Sequence, residues 1–163
     1  MKNRGFSLLE LIVVLVLLSL SIALVAPSLS RFSKSVELKA AAKKIAAILR
    51  YSRSEAITKG KVYQVLFDSN LLLVKVQSME SEDQQEEEKK EAKNPPKAFT
   101  LPPGIQMKEI KTESTQYPSD LPAIEFYPNG GSNGGDILLD TQSQKGYKIR
   151  VNFLTGSVVI EKV

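Results

Sequence analysis

Apolar residues dominate from Phe6 to Ala26, where the run from Leu11 onward is broken only by Ser19 and Ser21. That length matches a bilayer crossing, which takes roughly 20 residues at 1.5 Å each. Residues 6–27 are therefore read as a transmembrane helix, with Pro27 expected to kink it without ending it. Helical patterning then resumes, because Leu38, Ala41, Ala42, Ile45, Ile48, Leu49, Ser52 and Ala56 recur at spacings of three and four. This is one stripe of an amphipathic helix over residues 28–60, stopped by Gly60 as a C-terminal cap.

Beyond Gly60 the period changes to that of strands. Val62–Phe67 and Leu71–Val76 flank Asp68-Ser69-Asn70 and predict a hairpin. Short strands follow at Phe99–Leu101, Ile105–Ile110, Ala123–Tyr127 and Ile137–Leu139, and a closing pair at Tyr147–Phe153 and Val158–Glu161 is joined by Leu154–Ser157. In Tyr147–Phe153 the residues Tyr147, Ile149, Val151 and Phe153 alternate with Lys148, Arg150 and Asn152, so one face is buried and the other wet. The expected fold is α+β: a long N-terminal helix, membrane half plus amphipathic half, packed on antiparallel β-sheet in a β-rich region of residues 61–163.

One segment breaks the strand pattern. Residues 78–98 are rich in Glu, Gln and Lys and end near Asn94-Pro95-Pro96. Such a composition buries too little apolar surface to fold by itself, so a disordered acidic insertion is expected there. Charge is unevenly spread. From Pro27 to Gly60 eight Lys/Arg stand against Glu37 and Glu55, a balance of +6. From Ser78 to Lys93 seven acids stand against Lys89, Lys90 and Lys93, a balance of −4. From Asn94 to the end, seven bases meet seven acids, so no basic stripe marks the β-rich part as a nucleic-acid surface.

The apolar run has an unusual beginning. Lys2-Asn3-Arg4-Gly5 precedes Phe6-Ser7-Leu8-Leu9-Glu10. A basic leader before an apolar run is the layout of a secretory signal, but the small residue suited to cleavage, Gly5, stands before the run and not after it. Glu10 stands one turn inside the span, where an ionisable group costs ~2.5–3.5 kcal/mol at the bilayer centre and less near an end. Lys2 and Arg4 favour a cytoplasmic N-terminus. Cutting after Gly5 would give Phe6 a free amine four residues before Glu10, and an ammonium nearby could neutralise the carboxylate.

The pattern Gly5-Phe6-Ser7-Leu8-Leu9-Glu10, an apolar span and Pro27 resembles the class III signal of type IV pilins and type II secretion pseudopilins. The resemblance implies a prepilin leader at residues 1–5, cleavage between Gly5 and Phe6 by a membrane aspartyl peptidase, and N-methylation of Phe6. It also implies that Glu10 docks each subunit against a neighbour's N-terminus in a helical filament. Downstream, Ser52-Arg53-Ser54-Glu55-Ala56, Phe126-Tyr127-Pro128-Asn129-Gly130 and Thr155-Gly156-Ser157-Val158 resemble the GspH/FimT branch of that pilin-like superfamily.

Taken so, the chain is expected to be a minor pseudopilin of the type II secretion pseudopilus. It would be a single-pass inner-membrane protein with its C-terminal domain in the periplasm. The implied partners are other major and minor pseudopilins, the prepilin peptidase/methyltransferase, the inner-membrane secretion platform and membrane lipid. The alternative is a FimT-like minor type IV pilin serving pilus assembly or DNA uptake. Lys145, Lys148, Arg150 and Lys162 are its seed, with Asp136, Asp140 and Glu161 offsetting much of their charge. Nucleic acid is not an expected partner.

Composition removes most catalytic chemistry. The chain has neither cysteine nor histidine, which excludes Ser-His-Asp and Cys-His catalysis, thiolate chemistry and a disulfide framework. No catalytic residue, cofactor or metal is expected. The glycine-rich loop from Asn129 to Asp136 is not a phosphate loop, and with Asp136 alone close by it has too few carboxylates for calcium, which takes 6–8 oxygens. It is read as a turn.

Overall fold

A computed structural model describes residues 7–79, 98–141 and 144–163, with the backbone only for 23–33, 144 and 145. Gly5, Phe6 and the rest of the leader, and all but the ends of the acidic insertion, lie outside the described residues. The chain divides into two compact units, one through Val36 and one from Glu37 to Val163.

A single helix, α1 (Leu8–Lys59), contributes to both units and keeps helical geometry through Pro27. In the first unit every described side chain from Ser7 to Ile22 is exposed. Among the described residues no helix is long and apolar enough to cross a membrane. The apolar side chains described there end at Ile22, short of the ~20 residues a crossing takes.

In the second unit the stripe read from spacing is the buried face: Leu38, Ala41, Ala42, Ile45, Leu49, Ser52 and Ala56 are inaccessible, with Ile48 half-buried and Ala46 added. Gly60, at φ +66°, ends the helix in the left-handed conformation. The hairpin of β1 (Val62–Asp68) and β2 (Leu73–Met79) follows. Its loop is one residue longer than expected. Asp68 pairs with Leu73, and the Asp68 Oδ1 accepts the N–H groups of Asn70 and Leu71 at 2.9 Å each. This Asx-type turn starts β2 two residues later than expected and holds Leu72 at φ 51°. Ser78 and Met79, expected in the insertion, continue β2, and Ala98 opens β3 (Ala98–Thr100).

The remaining strands are β4 (Gln106–Thr112), β5 (Ala123–Phe126), β6 (Gly135–Thr141), β7 (Gln144–Val151) and β8 (Val158–Lys162). They form two antiparallel four-stranded sheets, β3-β2-β1-β5 and β4-β6-β7-β8. One hydrophobic core joins the helix stripe to Val65, Phe67 and Phe126 of the first sheet and to Ile137, Leu139 and Ile149 of the second. Four of the buried helix residues are alanines, and their small volume lets helix and sheet backbones approach closely. Enlarging one would cost about 1–3 kcal/mol in overpacking.

β1 and β5 are buried along nearly all their length, a strand pattern that requires cover on both faces. The core supplies one cover. Across the other face Gln77, Gln64 and Glu125 stand in register, and the stretch between β4 and β5 lies over them, with Gln64 Nε2 donating to Tyr117 O at 3.3 Å.

Candidate functional site

The start of α1 is built by its own side chains. Ser7 Oγ accepts the N–H of Glu10 at 3.2 Å, which makes Ser7 the N-cap and Glu10 the third helical residue. Ser7-Leu8-Leu9-Glu10 is thus a capping sequence, S-x-x-E, and its carboxylate sits where the helix dipole favours negative charge. Neither the cap nor its contribution to placing Glu10 was expected from the sequence reading, although the four-residue signature was there to be read. Ser19 and Ser21 donate to Leu15 O and Leu17 O at 2.8 Å each, so both hydroxyls are satisfied within the helix and suit an apolar surrounding. Gly5 and Phe6 lie outside the described residues.

At the other end of α1 two arginines clamp the C-terminal half of the chain. Arg50 Nη2 donates to Val158 O at 2.9 Å, and Arg53 Nε donates to Gly130 O at 3.1 Å. Gly156, at φ +60°, brings the β7–β8 turn against the same point: a Cβ there would stand 2.5 Å from Gly130 O and 2.9 Å from Arg53 Nε. The three segments that carried the downstream resemblance, at Ser52–Ala56, Phe126–Gly130 and Thr155–Val158, therefore meet around one guanidinium. Spacing along the chain could not bring them together. Glu55 turns to Lys59 at 3.1 Å, and hydrogen bonds that the Lys59 ammonium donates to Glu55 and Tyr63 push its pKa well above the ordinary value.

The glycine-rich loop is a folded corner whose polar groups are used internally. Asn129 Oδ1 accepts Gly131 N–H, Asn133 Oδ1 accepts Glu125 N–H at 2.8 Å, and Asn133 Nδ2 donates to Glu113 O and Ala123 O. Glu125 is fully buried, and its carboxylate accepts from Gln116 N–H (2.7 Å), Tyr117 N–H (3.0 Å), Tyr127 Oη–H (3.2 Å) and Gln64 Nε2 (3.3 Å). Burial, and next the Glu125 charge, push the Tyr127 phenol up to about 12. These donors satisfy a buried carboxylate and fix the stretch over the first sheet. Among the described residues no three metal-ligating side chains come together.

Two of the four cations that seeded a nucleic-acid reading, Lys148 and Arg150, are engaged. Lys148 Nζ and Arg150 Nε hold opposite oxygens of Asp136 at 2.6 and 3.1 Å, and Arg150 also reaches Glu161 at 3.4 Å. Burial pushes the Asp136 carboxyl up, but hydrogen bonds and charge from Lys148 and Arg150 outweigh it and leave the group below its ordinary range. The outer face of the second sheet is a ladder of paired charge.

Comparison with known sequences decides the family. Residues 41–155 match the family described as Type II transport protein GspH, and residues 1–26 match the prokaryotic N-terminal methylation motif. This chain belongs to the GspH family. It is 30% identical over 155 residues to the type II secretion system protein H of Xanthomonas campestris pv. campestris, a span covering 95% of this chain and 81% of that protein. Its fold is like that of the minor pseudopilin EpsH from the type 2 secretion system of Vibrio cholerae, with a TM-score of 0.59 at 14% identity over 76% of this chain and 94% of the other. The type IV minor pilin FimU of Pseudomonas aeruginosa is similar too, with a TM-score of 0.54 at 15% identity over 80% and 92% of the two chains. At those identities the structural likeness carries the pilin-like fold alone, and membership of the GspH family rests on the sequence matches.

Proposed function

We propose that this GspH-family chain is a minor pseudopilin that works by assembly and not by catalysis. Its N-terminal helix anchors it in the inner membrane and then packs against neighbouring subunits of the pseudopilus, with the β-rich unit in the periplasm. The observation that carries this reading is the exposed apolar surface of α1 from Leu8 to Ile22 headed by a single carboxylate, Glu10.

Magnitudes set the order of events. Twelve large apolar side chains there are each about half exposed or more, so covering them is worth on the order of 10–20 kcal/mol at ~25 cal/mol per Å². One carboxylate near a helix end costs at most ~3 kcal/mol in hydrocarbon. Insertion therefore goes forward with Glu10 in place. Leaving the lipid for a filament is favoured where the carboxylate meets a cation. The amine that a peptidase would expose on Phe6 of a neighbour supplies one, and the pairing fixes axial register. In this reading the inner-membrane platform drives extraction, and the peptidase cuts after Gly5 and methylates Phe6.

The test is to remove the gene from a strain that carries both a type II secretion system and type IV pili. Loss of exported protein from the medium, with pilus-dependent motility and DNA uptake kept, is the expected result. Intact export with loss of DNA uptake would overturn it in favour of the FimT-like alternative, which the paired state of Lys148 and Arg150 does not favour.

A further inference from the structure

The two sheets end in four strand edges, and three of them are guarded. β3 is only three residues long. β5 is covered by the Phe126–Ser132 bridge and by the Asn133 N–H, which Glu125 O accepts at 3.2 Å. β4 is broken by a bulge between Met107 and Glu109 and carries exposed Lys108 and Lys111. Shortness, cover, bulges and lysines all keep an edge from pairing with another chain. β8 is the exception, five residues in unbroken register with β7 and uncharged from Val158 to Ile160.

The ladder fixes which backbone groups of β8 are free. Asn152 N–H donates to Ser157 O and Val163 N–H to Gly146 O, at 3.0 Å each. Hydrogen-bonded pairs alternate along an antiparallel ladder, so Val159 and Glu161 face β7 with their N–H and C=O groups, while Val158, Ile160 and Lys162 turn theirs outward. Val158 O accordingly accepts from Arg50 at 2.9 Å. On that side Ile160 and Lys162 have no backbone partner among the described residues.

We propose that this edge takes up an antiparallel strand of a different chain, with residues in the order acidic, polar, apolar, apolar, acidic. Residues directly opposite in such a pair share a face, so the edge dictates the order. Exposed Lys162 stands at one end, and exposed Arg50 stands at the Val158 end, about 14 Å away at ~3.4 Å per residue. Neither meets a carboxylate among the described residues, so acids opposite Lys162 and Val158 match both. Lys43 and Lys75 are exposed too, but Lys43 is on the helix and Lys75 in β2, an inner strand. Between the two acids, an apolar residue opposite Ile160 completes the cover of a half-buried side chain that packs on the core, and another covers exposed Val159.

Charge decides against a second copy. Two β8 strands paired about Ile160 would set Lys162 of each against Val158 and Arg50 of the other, and like charges placed opposite are destabilising. The chain's own acid-to-acid apolar run, Asp136–Asp140, is in β6, which is already paired with β4 and β7. Taking the donor to be another subunit of the pseudopilus rests on the pseudopilin reading.

The test joins Glu-Thr-Val-Val-Glu to Val163 of the full-length chain through a flexible linker of about eight residues, which holds the strand near millimolar effective concentration. Amide exchange in detergent micelles should slow at least about tenfold at Ile160 and Lys162 relative to the linker alone. Lys-Thr-Val-Val-Lys should not slow it, and in a Lys162→Glu chain Lys-Thr-Val-Val-Glu should slow it more than Glu-Thr-Val-Val-Glu does. Unchanged exchange, or equal slowing by the acid-ended and lysine-ended strands, would overturn the proposal. In a secreting strain, Lys162→Pro removes an outward N–H that β7 does not use, so the subunit should reach the membrane folded while export falls at least about fivefold, with Lys162→Arg near native. Native export by Lys162→Pro would also overturn it. Export lost on removing the gene but kept by Lys162→Pro sinks the edge alone, whereas export kept on removing the gene sinks the pseudopilin reading.

Discussion

The clamp around Arg53 can be tested by a single methyl group. Gly156→Ala places a Cβ 2.5 Å from Gly130 O and 2.9 Å from Arg53 Nε, between the two partners of a charged hydrogen bond. The residue also sits at φ +60°, where a side chain costs about 1–2 kcal/mol. Losing a hydrogen bond to a charged group adds about 1.5–3 kcal/mol. The expected cost is therefore about 3–5 kcal/mol, a large part of the ~5–15 kcal/mol that stabilises a domain. Gly60→Ala is the matched control, because Gly60 has φ +66° and no heavy atom within 4 Å of its would-be Cβ. It should cost about 1–2 kcal/mol, and the gain from lower unfolded-chain entropy is common to both variants. Urea unfolding of the unit from Glu37 to Val163, followed by circular dichroism, reads the difference as a midpoint lower by about 1 M for Gly156→Ala. Equal midpoints for the two variants would refute the clamp.

Other consequences follow from the buried network and the paired charges. Glu125→Gln puts an amide N–H among four donors, which should cost about 1–3 kcal/mol and remove hydrogen-exchange protection at Gln116 and Tyr117; unchanged protection there would contradict the network. Asp136 has a folded-state pKa below its unfolded value, so its stabilisation is present above about pH 4 and is lost as pH falls through the folded pKa. The stability gap between the native chain and Asp136→Asn should accordingly close on acidification, and a gap independent of pH would refute the pairing. Tyr127 is raised to about 12 from the usual ~10, so in alkali its contribution is complete below about pH 10 and lost as pH rises through about 12. Ultraviolet titration should show a late phenol that Tyr127→Phe removes.

What the sequence disclosed and what it hid have physical causes. The helix stripe was legible because Leu38 through Ala56 must all reach one face, and a period of 3.6 is a local property. The strands were legible as segments for the same reason. Their division into two sheets was not, since β5 lies beside β1 from 55 residues away and nothing local in either strand names its neighbour. Glu125 reads as a solvent-facing position in Ala123-Ile124-Glu125-Phe126, and only the loop folded over that face makes its burial possible. The Arg53 clamp joins three segments far apart in sequence, so each looked like a separate motif. At the N-terminus, Ser7-x-x-Glu10 was read for its place in a signal, and its role as a helix cap escaped notice because both readings use the same four residues. The hairpin loop was placed one residue short because the Asx turn of Asp68 consumes Leu71 and Leu72, apolar residues that look like strand.

The central claim is that Glu10 is an assembly joint. Its most direct test is the Glu10→Leu variant, expressed in a secreting strain with the native subunit absent. Membranes and sheared pseudopili are then separated and probed for the processed chain. The account predicts Glu10→Leu in the membrane fraction, cut after Gly5 and methylated on Phe6, and absent from the pseudopili, with Glu10→Asp incorporated in part. Glu10→Leu found in pseudopili at the native level would contradict it.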